Sequence, residues 1–401
     1  MPDSPEELDS LFHSLDALGR FPGTEGPELS AVDGVDRLLL AEAYADLRSD
    51  PATDGGGAGR VVVLDDAFGA LTLGAVACAT GASDPARVVV HQDWVTAERA
   101  LDVNAERLGL TDAFTRHDAL RGLDSELLGR AKVVLLRLPK SLDTLTEQVE
   151  AIARHAPADV TVYAGGRVKH MTRGMNDVIA RSFGDVRASL GRFKSRALIA
   201  RSPLPSARTQ EPTFPRRAHL GEIGLDVVSH GGVFAGTRLD IGTRYLLTFL
   251  DEMAPDAAQA IDVGCGSGIL AVSLAQARPG LQVLASDQSA AAITSTAATA
   301  QANGVAAAVT TLRDDALSTL PADCADLVVC NPPFHSGTAL HTDAAHRMFA
   351  AAARVLRPGG ELWTVYNSHL LYKRDLSRVV GPTTMAGQNP KFTVTRTVRR
   401  D

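Results

Sequence analysis

Apolar residues recur along this chain in two rhythms. In residues 6–20, Leu8, Leu11, Leu15 and Leu18 fall at spacings of three and four, the stripe of an amphipathic helix, and residues 30–48 form a second such segment. From residue 61 onward, short apolar runs alternate with longer helical stretches. Strands are predicted at 61–64, 88–91, 133–136 and 160–163, with a late one at 197–200; helices are predicted at 71–79, 97–108 and 142–153. A Pro- and Arg-rich stretch, 202–220, interrupts the pattern. It then resumes, with strands at 260–263, 282–286, 309–312, 327–330, 361–366 and 392–398 and helices at 269–277, 290–303, 344–355 and 370–379. Alternation of this kind gives βαβ units and a parallel sheet. It runs twice, so the chain reads as a duplication.

Length agrees with two domains: 401 residues exceed one typical domain, and 45% are hydrophobic, enough for sizeable cores. The expected limits are a first domain at 1–205, a linker at 206–224 and a second domain at 225–401. No apolar run approaches the roughly 20 residues of a membrane span. The acidic start, Met1-Pro2-Asp3-Ser4-Pro5-Glu6-Glu7, lacks the basic and apolar parts of a signal peptide. Cys78, Cys265, Cys324 and Cys330 show no metal-ligand pairing, and so few cysteines fit a reducing cytoplasm. No membrane and no metal are therefore expected, and a monomer is.

The candidate chemistry lies in the second half. Asp262-Val263-Gly264-Cys265-Gly266-Ser267-Gly268 follows a strand and opens a helix. Glycines there let the backbone approach a ligand, and the helix N-terminus favours a negative group. The next strand ends at Asp287-Gln288, where a carboxylate can hold ribose hydroxyls. After the third strand come Asp314 and Asp315, either of which could accept from an adenine amine. The fourth strand ends in Asn331-Pro332-Pro333-Phe334: two prolines stop the ladder and leave the Asn331 amide at the carboxyl end of the strand, where open α/β sheets bind ligands. Taken alone, the tetrad is equally a strand ending in a turn, and the glycine turn is common in dinucleotide folds. The order of turn, acid, acid and tetrad, one per strand, is the specific signal. In the first half, Asp65-Asp66-Ala67-Phe68-Gly69 stands where the second has its glycine turn, and Leu136-Arg137-Leu138-Pro139-Lys140 stands where it has the tetrad. Carboxylates and Phe68 would obstruct a cofactor there.

Residues 225–401 resemble class I S-adenosylmethionine-dependent methyltransferases. The resemblance implies that Gly264, Gly266 and Gly268 form the cofactor loop with Asp262, that Asp287 and Gln288 bind the ribose side, and that Asp314 or Asp315 contacts adenine. It also implies that the stretch containing Asp240, Gly242 and Thr243 closes over the methionine end, beside Asn331. With His335 and Asn389-Pro390-Lys391-Phe392 added, the chain is similar to bacterial ribosomal RNA guanine-N2 methyltransferases. Leu138-Pro139-Lys140-Ser141 and Lys391-Phe392-Thr393-Val394 point to the type that acts on 23S rather than 16S RNA. The implied fold class is α/β, two tandem Rossmann-like methyltransferase domains with the N-terminal one degenerate. The implied cofactor is S-adenosyl-L-methionine, and the implied partner is ribosomal RNA or a ribosomal subunit. Asn331 and the Pro332 carbonyl would accept hydrogen bonds from the guanine amine while Phe334 stacks on the flipped base. His335 reads as a hydrogen-bonding loop residue more than as a base, Cys265 as a small turn residue, and Lys391 as an exposed terminal lysine.

Charge changes the picture once more. The chain carries −7, which argues against a nucleic-acid partner. Between residues 161 and 217, however, twelve basic side chains face three acidic ones, net +9, so the rest of the chain carries −16. Arg167, Lys169, Arg173, Arg192, Lys194 and Arg196 are the candidates for RNA phosphate contact; a solvated linker face is the plain alternative. Rival functions are methylation of protein glutamine or DNA adenine, which use related tetrads, and a non-catalytic RNA-binding assembly factor.

Overall fold

The computed structural model describes residues 5–21, 23, 30–49, 60–79, 87–332 and 339–400. The chain divides into two compact units, residues 1–214 and 215–401. In the first, seven strands form one sheet: β1 Arg60–Leu64, β2 Val88–His91, β3 Thr115–Arg116, β4 Ala131–Arg137, β5 Thr161–Arg167, β6 Phe183–Ala188 and β7 Ser195–Pro203. Their order is β3-β2-β1-β4-β5-β7-β6, parallel except where β7 pairs antiparallel with β5 and β6. The second unit begins with an antiparallel ladder, β8 Arg216–Leu220 and β9 Leu225–Ser229. Seven more strands follow: β10 Gln259–Val263, β11 Gln282–Asp287, β12 Val309–Arg313, β13 Ala325–Cys330, β14 Leu356–Asn367, β15 Thr383–Gln388 and β16 Phe392–Val398. Their order, β12-β11-β10-β13-β14-β16-β15, repeats the first sheet position for position, as the duplicated pattern requires.

The central strands are continuous apolar runs because helices cover both faces of a parallel sheet. Val61 to Leu64 and Leu327 to Cys330 are buried throughout. Each sheet divides its core into two apolar clusters. The covering helices are amphipathic and capped: in Leu142–His155, Leu145, Val149, Ile152 and Ala153 are buried, and the Ser141 hydroxyl accepts from the Thr144 N–H at 3.3 Å.

Several elements lacked a readable pattern. β6 and β15 are outer strands, mostly polar or half-exposed, and β15 carries a bulge between Met385 and Gly387, so neither shows a continuous apolar run. Helices Arg173–Ala180 and Ile241–Leu247 are eight and seven residues long, too short to establish a period. The Pro- and Arg-rich stretch is also more regular than its composition suggests: it contains the end of β7, the helix Pro205–Thr209 and β8. No helix among the described residues is long and apolar enough to cross a membrane, and no group of three or more His, Cys, Asp or Glu side chains there could hold a metal ion.

Candidate active site

The carboxyl ends of β10, β11, β12 and β13 meet at one corner of the second sheet, and each delivers what its sequence ends in. After β10 the chain turns into helix Ile269–Ala277 with positive φ at Gly264 (79°), Gly266 (56°) and Gly268 (81°). A Cβ on Gly268 would lie 2.9 Å from the Thr296 methyl, so this glycine lets two helices approach. At Gly266 a Cβ would meet nothing nearer than Val233 at 4.0 Å, so the backbone there borders an open cradle. The loop is pinned to β11: the N–H groups of Gly264 and Cys265 donate to the Ser286 carbonyl at 2.8 and 3.1 Å.

Asp287, at the end of β11, is half-buried; its carboxylate accepts from the Gly266 N–H at 3.1 Å and the Ser289 N–H at 3.0 Å. Gln288 is half-buried beside it. Asp262 is buried on β10, where one carboxylate oxygen accepts from the Ala271 N–H at 3.0 Å and the other has no hydrogen-bond partner among the described residues. Burial, only partly offset by that hydrogen bond, pushes its pKa to about 7. Burial also holds the Cys265 and Cys330 thiols well above their usual range, which leaves both as unreactive turn and strand residues.

The two acids after β12 have different surroundings. Asp314 is buried and accepts from the Thr319 N–H and hydroxyl at 2.8 and 2.9 Å and from the Ser318 hydroxyl at 2.5 Å, a local turn closure. Asp315 instead forms an ion pair with Arg347 at 2.8 Å. Arg347 lies on helix Ala339–Val355, and the next residue, Met348, sits 3.0 Å from where a Gly264 Cβ would be. No sequence motif marked either residue: they belong to an ordinary amphipathic helix, and only the fold brings them to this corner.

Asn331, immediately after β13, is the most constrained group. Helix Ile241–Leu247 begins at N-cap Asp240, whose carboxylate accepts from the Gly242 and Thr243 N–H groups at 2.9 and 3.1 Å. The Asn331 side-chain NH₂ donates to the same carboxylate at 3.2 Å and to the Thr243 hydroxyl at 2.9 Å. A carboxylate only accepts, so this pairing fixes the amide's orientation. Its Oδ1 is thereby turned the other way, buried and without a partner among the described residues. Pro332 is buried; Pro333, Phe334 and His335 lie outside the described residues. Thus Asp240, Gly242, Thr243, Asp262, the three glycines, Asp287, Gln288 and Asn331 come together around one corner, with Asp315 reaching it through Arg347.

The basic candidates belong to the first unit. Arg167, Lys169, Arg173, Arg192, Lys194 and Arg196 are all exposed. Five of them converge: Arg167 pairs with Ser195 and Gly166 with Arg196 across the β5–β7 ladder, and the Val168 N–H donates to the Lys194 carbonyl at 3.1 Å. Arg173 starts a separate helix.

Residues 224–396 match the methyltransferase small domain family, and residues 6–204 match the RLMG N-terminal domain family. The chain is 36% identical over 389 residues to the ribosomal RNA large subunit methyltransferase G of Streptomyces avermitilis, spanning 96% of this chain and 97% of that one. It is 34% identical over 408 residues to the same-named protein of Shewanella amazonensis, spanning 99% and 97%. Among solved structures it resembles the T. thermophilus 16S rRNA N2 G1207 methyltransferase, in complex with AdoMet and guanosine, with a TM-score of 0.69 and 20% identity over 96% of this chain and 99% of that one. That likeness places both sheets in the class I methyltransferase fold.

Proposed function

We propose that this chain, which belongs to the ribosomal RNA large subunit methyltransferase G family, transfers a methyl group from S-adenosylmethionine to the exocyclic N2 of a guanine in 23S ribosomal RNA. The observation that carries this reading is the Asn331 amide, whose NH₂ is consumed by Asp240 and Thr243 and whose buried oxygen is left as an acceptor. An acceptor fixed at a strand end suits a substrate that donates, as an amine does and a carboxylate or phosphate oxygen does not.

The corner fits the cofactor. The cradle at Gly266 gives room for close backbone approach, and the Asp287 carboxylate, oriented by the Gly266 and Ser289 N–H groups at the end of β11, is placed to accept from ribose hydroxyls. Asp315 is the adenine-side acid in this reading, because Asp314 is engaged by Ser318 and Thr319. Gly264 and Gly268 shape the loop, Asp262 caps the helix behind it, and Asp240 with Gly242 and Thr243 holds Asn331. When bound, S-adenosylmethionine supplies a methyl already activated by its sulfonium, so the chain's task is to position and desolvate.

The guanine amine is a weak nucleophile because its lone pair is delocalised into the ring. Asn331 Oδ1 and the Pro332 carbonyl accept its two N–H groups, which favours a pyramidal nitrogen and aims the lone pair at the methyl. Phe334 clamps the extruded base by stacking. The amine's proton becomes acidic only as the new bond forms, so no strong base is needed. The first unit contributes RNA contact through its basic segment, and the setting is the cytoplasm, where the chain works as a monomer. The test is methylation of 23S ribosomal RNA by the purified chain with labelled S-adenosylmethionine, followed by mass mapping. N2-methylguanosine is expected. Label in protein or DNA, or on another atom of the RNA, would sink the reading.

A further inference from the structure

The hairpin that joins β6 to β7 closes in an uncommon way. Arg192 and Ser195 exchange both backbone hydrogen bonds, at 3.0 and 2.8 Å, so Phe193 and Lys194 form a two-residue turn. Both have left-handed φ, 54° and 58°. This is the pattern of a type I′ turn, in which Asn and Gly are the residues that adopt such angles easily; a phenylalanine followed by a lysine is strained there. The topology does not demand the strain. At the equivalent hairpin of the second unit, between β15 and β16, Asn389 and Phe392 flank Pro390 and Lys391, and φ is not positive at either central residue. There the Asn389 side chain caps the turn, accepting from the Lys391 and Phe392 N–H groups at 2.9 and 2.7 Å.

The strained turn is braced from below. A Cβ on Gly34 would lie 2.2 Å from the Phe193 carbonyl oxygen, so only glycine at the start of helix Gly34–Arg48 admits the turn. The Phe12 ring meets Phe193 edge-on with centroids 6.4 Å apart. Despite these contacts Phe193 is 45% exposed, and the Arg192 guanidinium lies 5.3 Å from its ring centroid. Lys194 and Arg196 are exposed beside it and have no ion-pair partner among the described residues, and Leu190 is 83% exposed at the base of the hairpin. An aromatic ring stacked under a planar cation and flanked by unpaired cations matches a single-stranded nucleic acid: one unpaired base stacks, and neighbouring phosphates meet Lys194 and Arg196.

The geometry points to residues 192–194 as a contact for an unpaired stretch of RNA, with the turn strain retained to hold Phe193 and Lys194 outward. This rests on the ribosomal RNA reading above and adds which part of the first unit touches RNA and in what form. The charge of the segment favours RNA over a ribosomal protein as the occupant.

The test uses the full chain and two variants, Phe193→Asn and the double variant Phe193→Asn with Lys194→Gly, which installs the turn residues that these angles favour. Affinities are measured for a fluorescein-labelled single-stranded oligouridylate and for a fully paired RNA duplex of equal phosphate count. Phe193→Asn should weaken single-strand binding about ten-fold, the scale of one lost base stack, and leave duplex binding and the salt slope unchanged. The double variant should also reduce the salt slope by about 0.7–0.9, the share of one phosphate contact. It should raise the melting temperature of the first unit and leave cofactor affinity unchanged. Unchanged single-strand affinity in the double variant overturns the inference. So do equal losses on both RNAs with Phe193→Asn, or impaired methylation of assembled particles with naked RNA unaffected, which would assign the tip to a ribosomal protein. A wild-type chain that binds and methylates no RNA overturns the ribosomal RNA reading itself.

Discussion

At the carboxyl end of β13 an amide is held by an N-cap aspartate and a threonine; at the carboxyl end of β4 a guanidinium is held by an N-cap aspartate and a second aspartate. The positions correspond. Leu136 pairs with Leu64 as Cys330 pairs with Val263, which sets Arg137 opposite Asn331. Asp33 caps helix Gly34–Arg48 as Asp240 caps Ile241–Leu247, and Asp36 stands three residues on, where the second unit has Thr243. Arg137 donates to Asp33 at 3.0 Å and also bonds to Asp36. Burial works against the charge on Arg137, but Asp36 and Asp33 outweigh it and keep the guanidinium protonated. One scaffold thus carries two outcomes. In the second unit an acceptor is left over for a ligand; in the first, the donors and carboxylates satisfy one another.

The same exchange runs through the neighbouring strands. Asp65 has the positive φ of Gly264, 57° against 79°, but brings a carboxylate that accepts from Gln148 at 2.5 Å. Gln92 stands where Asp287 does and donates to the Asp66 carbonyl at 2.6 Å. Phe68 replaces Ser267, and the Arg20 guanidinium lies 4.8 Å from its ring centroid. The first unit keeps the turn but fills the corresponding corner with a self-contained polar cluster.

The comparison breaks most severely if Asn331 can be exchanged for its counterpart. Asn331→Arg removes the acceptor and sets a donor-only cation against the substrate amine. Loss of one aimed polar group costs about 10²–10³ in kcat, and the misplaced cation should take the total beyond about 10⁴. Asn331→Ala should fall in the lower range and leave cofactor binding nearly intact, because the lost interaction is used at the reacting nitrogen. Turnover within a few-fold of wild type, by radiolabel transfer, would remove Asn331 from the mechanism.

The reverse exchange, Arg137→Asn, should act on stability. It leaves buried Asp36 without its cation and Asp33 with only the exposed Arg167, 3.5 Å away, and breaking a buried pair in this way costs about 3–5 kcal/mol. Calorimetry should show the first unit melting earlier, with partial recovery when Asp36→Asn is added. A change under about 1 kcal/mol would mean that the cluster is solvated enough to dispense with its charge. A smaller effect is expected at the proposed ribose contact: Asp287→Gln, which imports the Gln92 amide, should weaken cofactor affinity about 10–100-fold in titration calorimetry, roughly 1.4–2.8 kcal/mol. Unchanged affinity would place the ribose on other residues.

The sequence already displayed much of this. Turn, first acid and tetrad follow β10, β11 and β13, largely buried strands whose apolar runs stop abruptly, and the second acid follows the half-exposed outer strand β12; the abrupt endings are visible without coordinates. The duplication was legible for the same reason. What sequence could not deliver depends on distance along the chain: that Asp240 and Thr243 hold an amide about 90 residues away, that Arg347 reaches Asp315, or that Arg137 finds Asp33 and Asp36. β6 and β15 escaped notice because outer strands need no apolar periodicity, and the turn at 193–194 because Phe-Lys signals no turn at all.

The finest contrast is between two buried carboxylates that cap corresponding helices. In the first unit Asp66 accepts from the Gly69 N–H at 3.1 Å and from the Thr72 N–H and hydroxyl, both at 2.8 Å. In the second unit the cap comes from Asp262, on the strand itself, where the first has Val63. It accepts from Ala271 alone and keeps one oxygen without a partner among the described residues. Its pKa is raised from the usual carboxylate value to about 7, mainly by burial. Between the unfolded value near 3.9 and the folded value near 7 the native state holds a proton that the unfolded state has released, so stability falls as pH rises through that window. The contribution is fully present below pH 4 and lost above about pH 7. Asp262→Asn can still accept from Ala271 but cannot ionise. Relative to wild type, the variant's second unit should therefore gain about 1.4 kcal/mol per pH unit between pH 5 and 6, the slope of one proton. The measurement is denaturant unfolding of both proteins at each pH. Parallel stability profiles would show that Asp262 is already ionised at pH 5, and that the second unit's cap is as well satisfied as the first's.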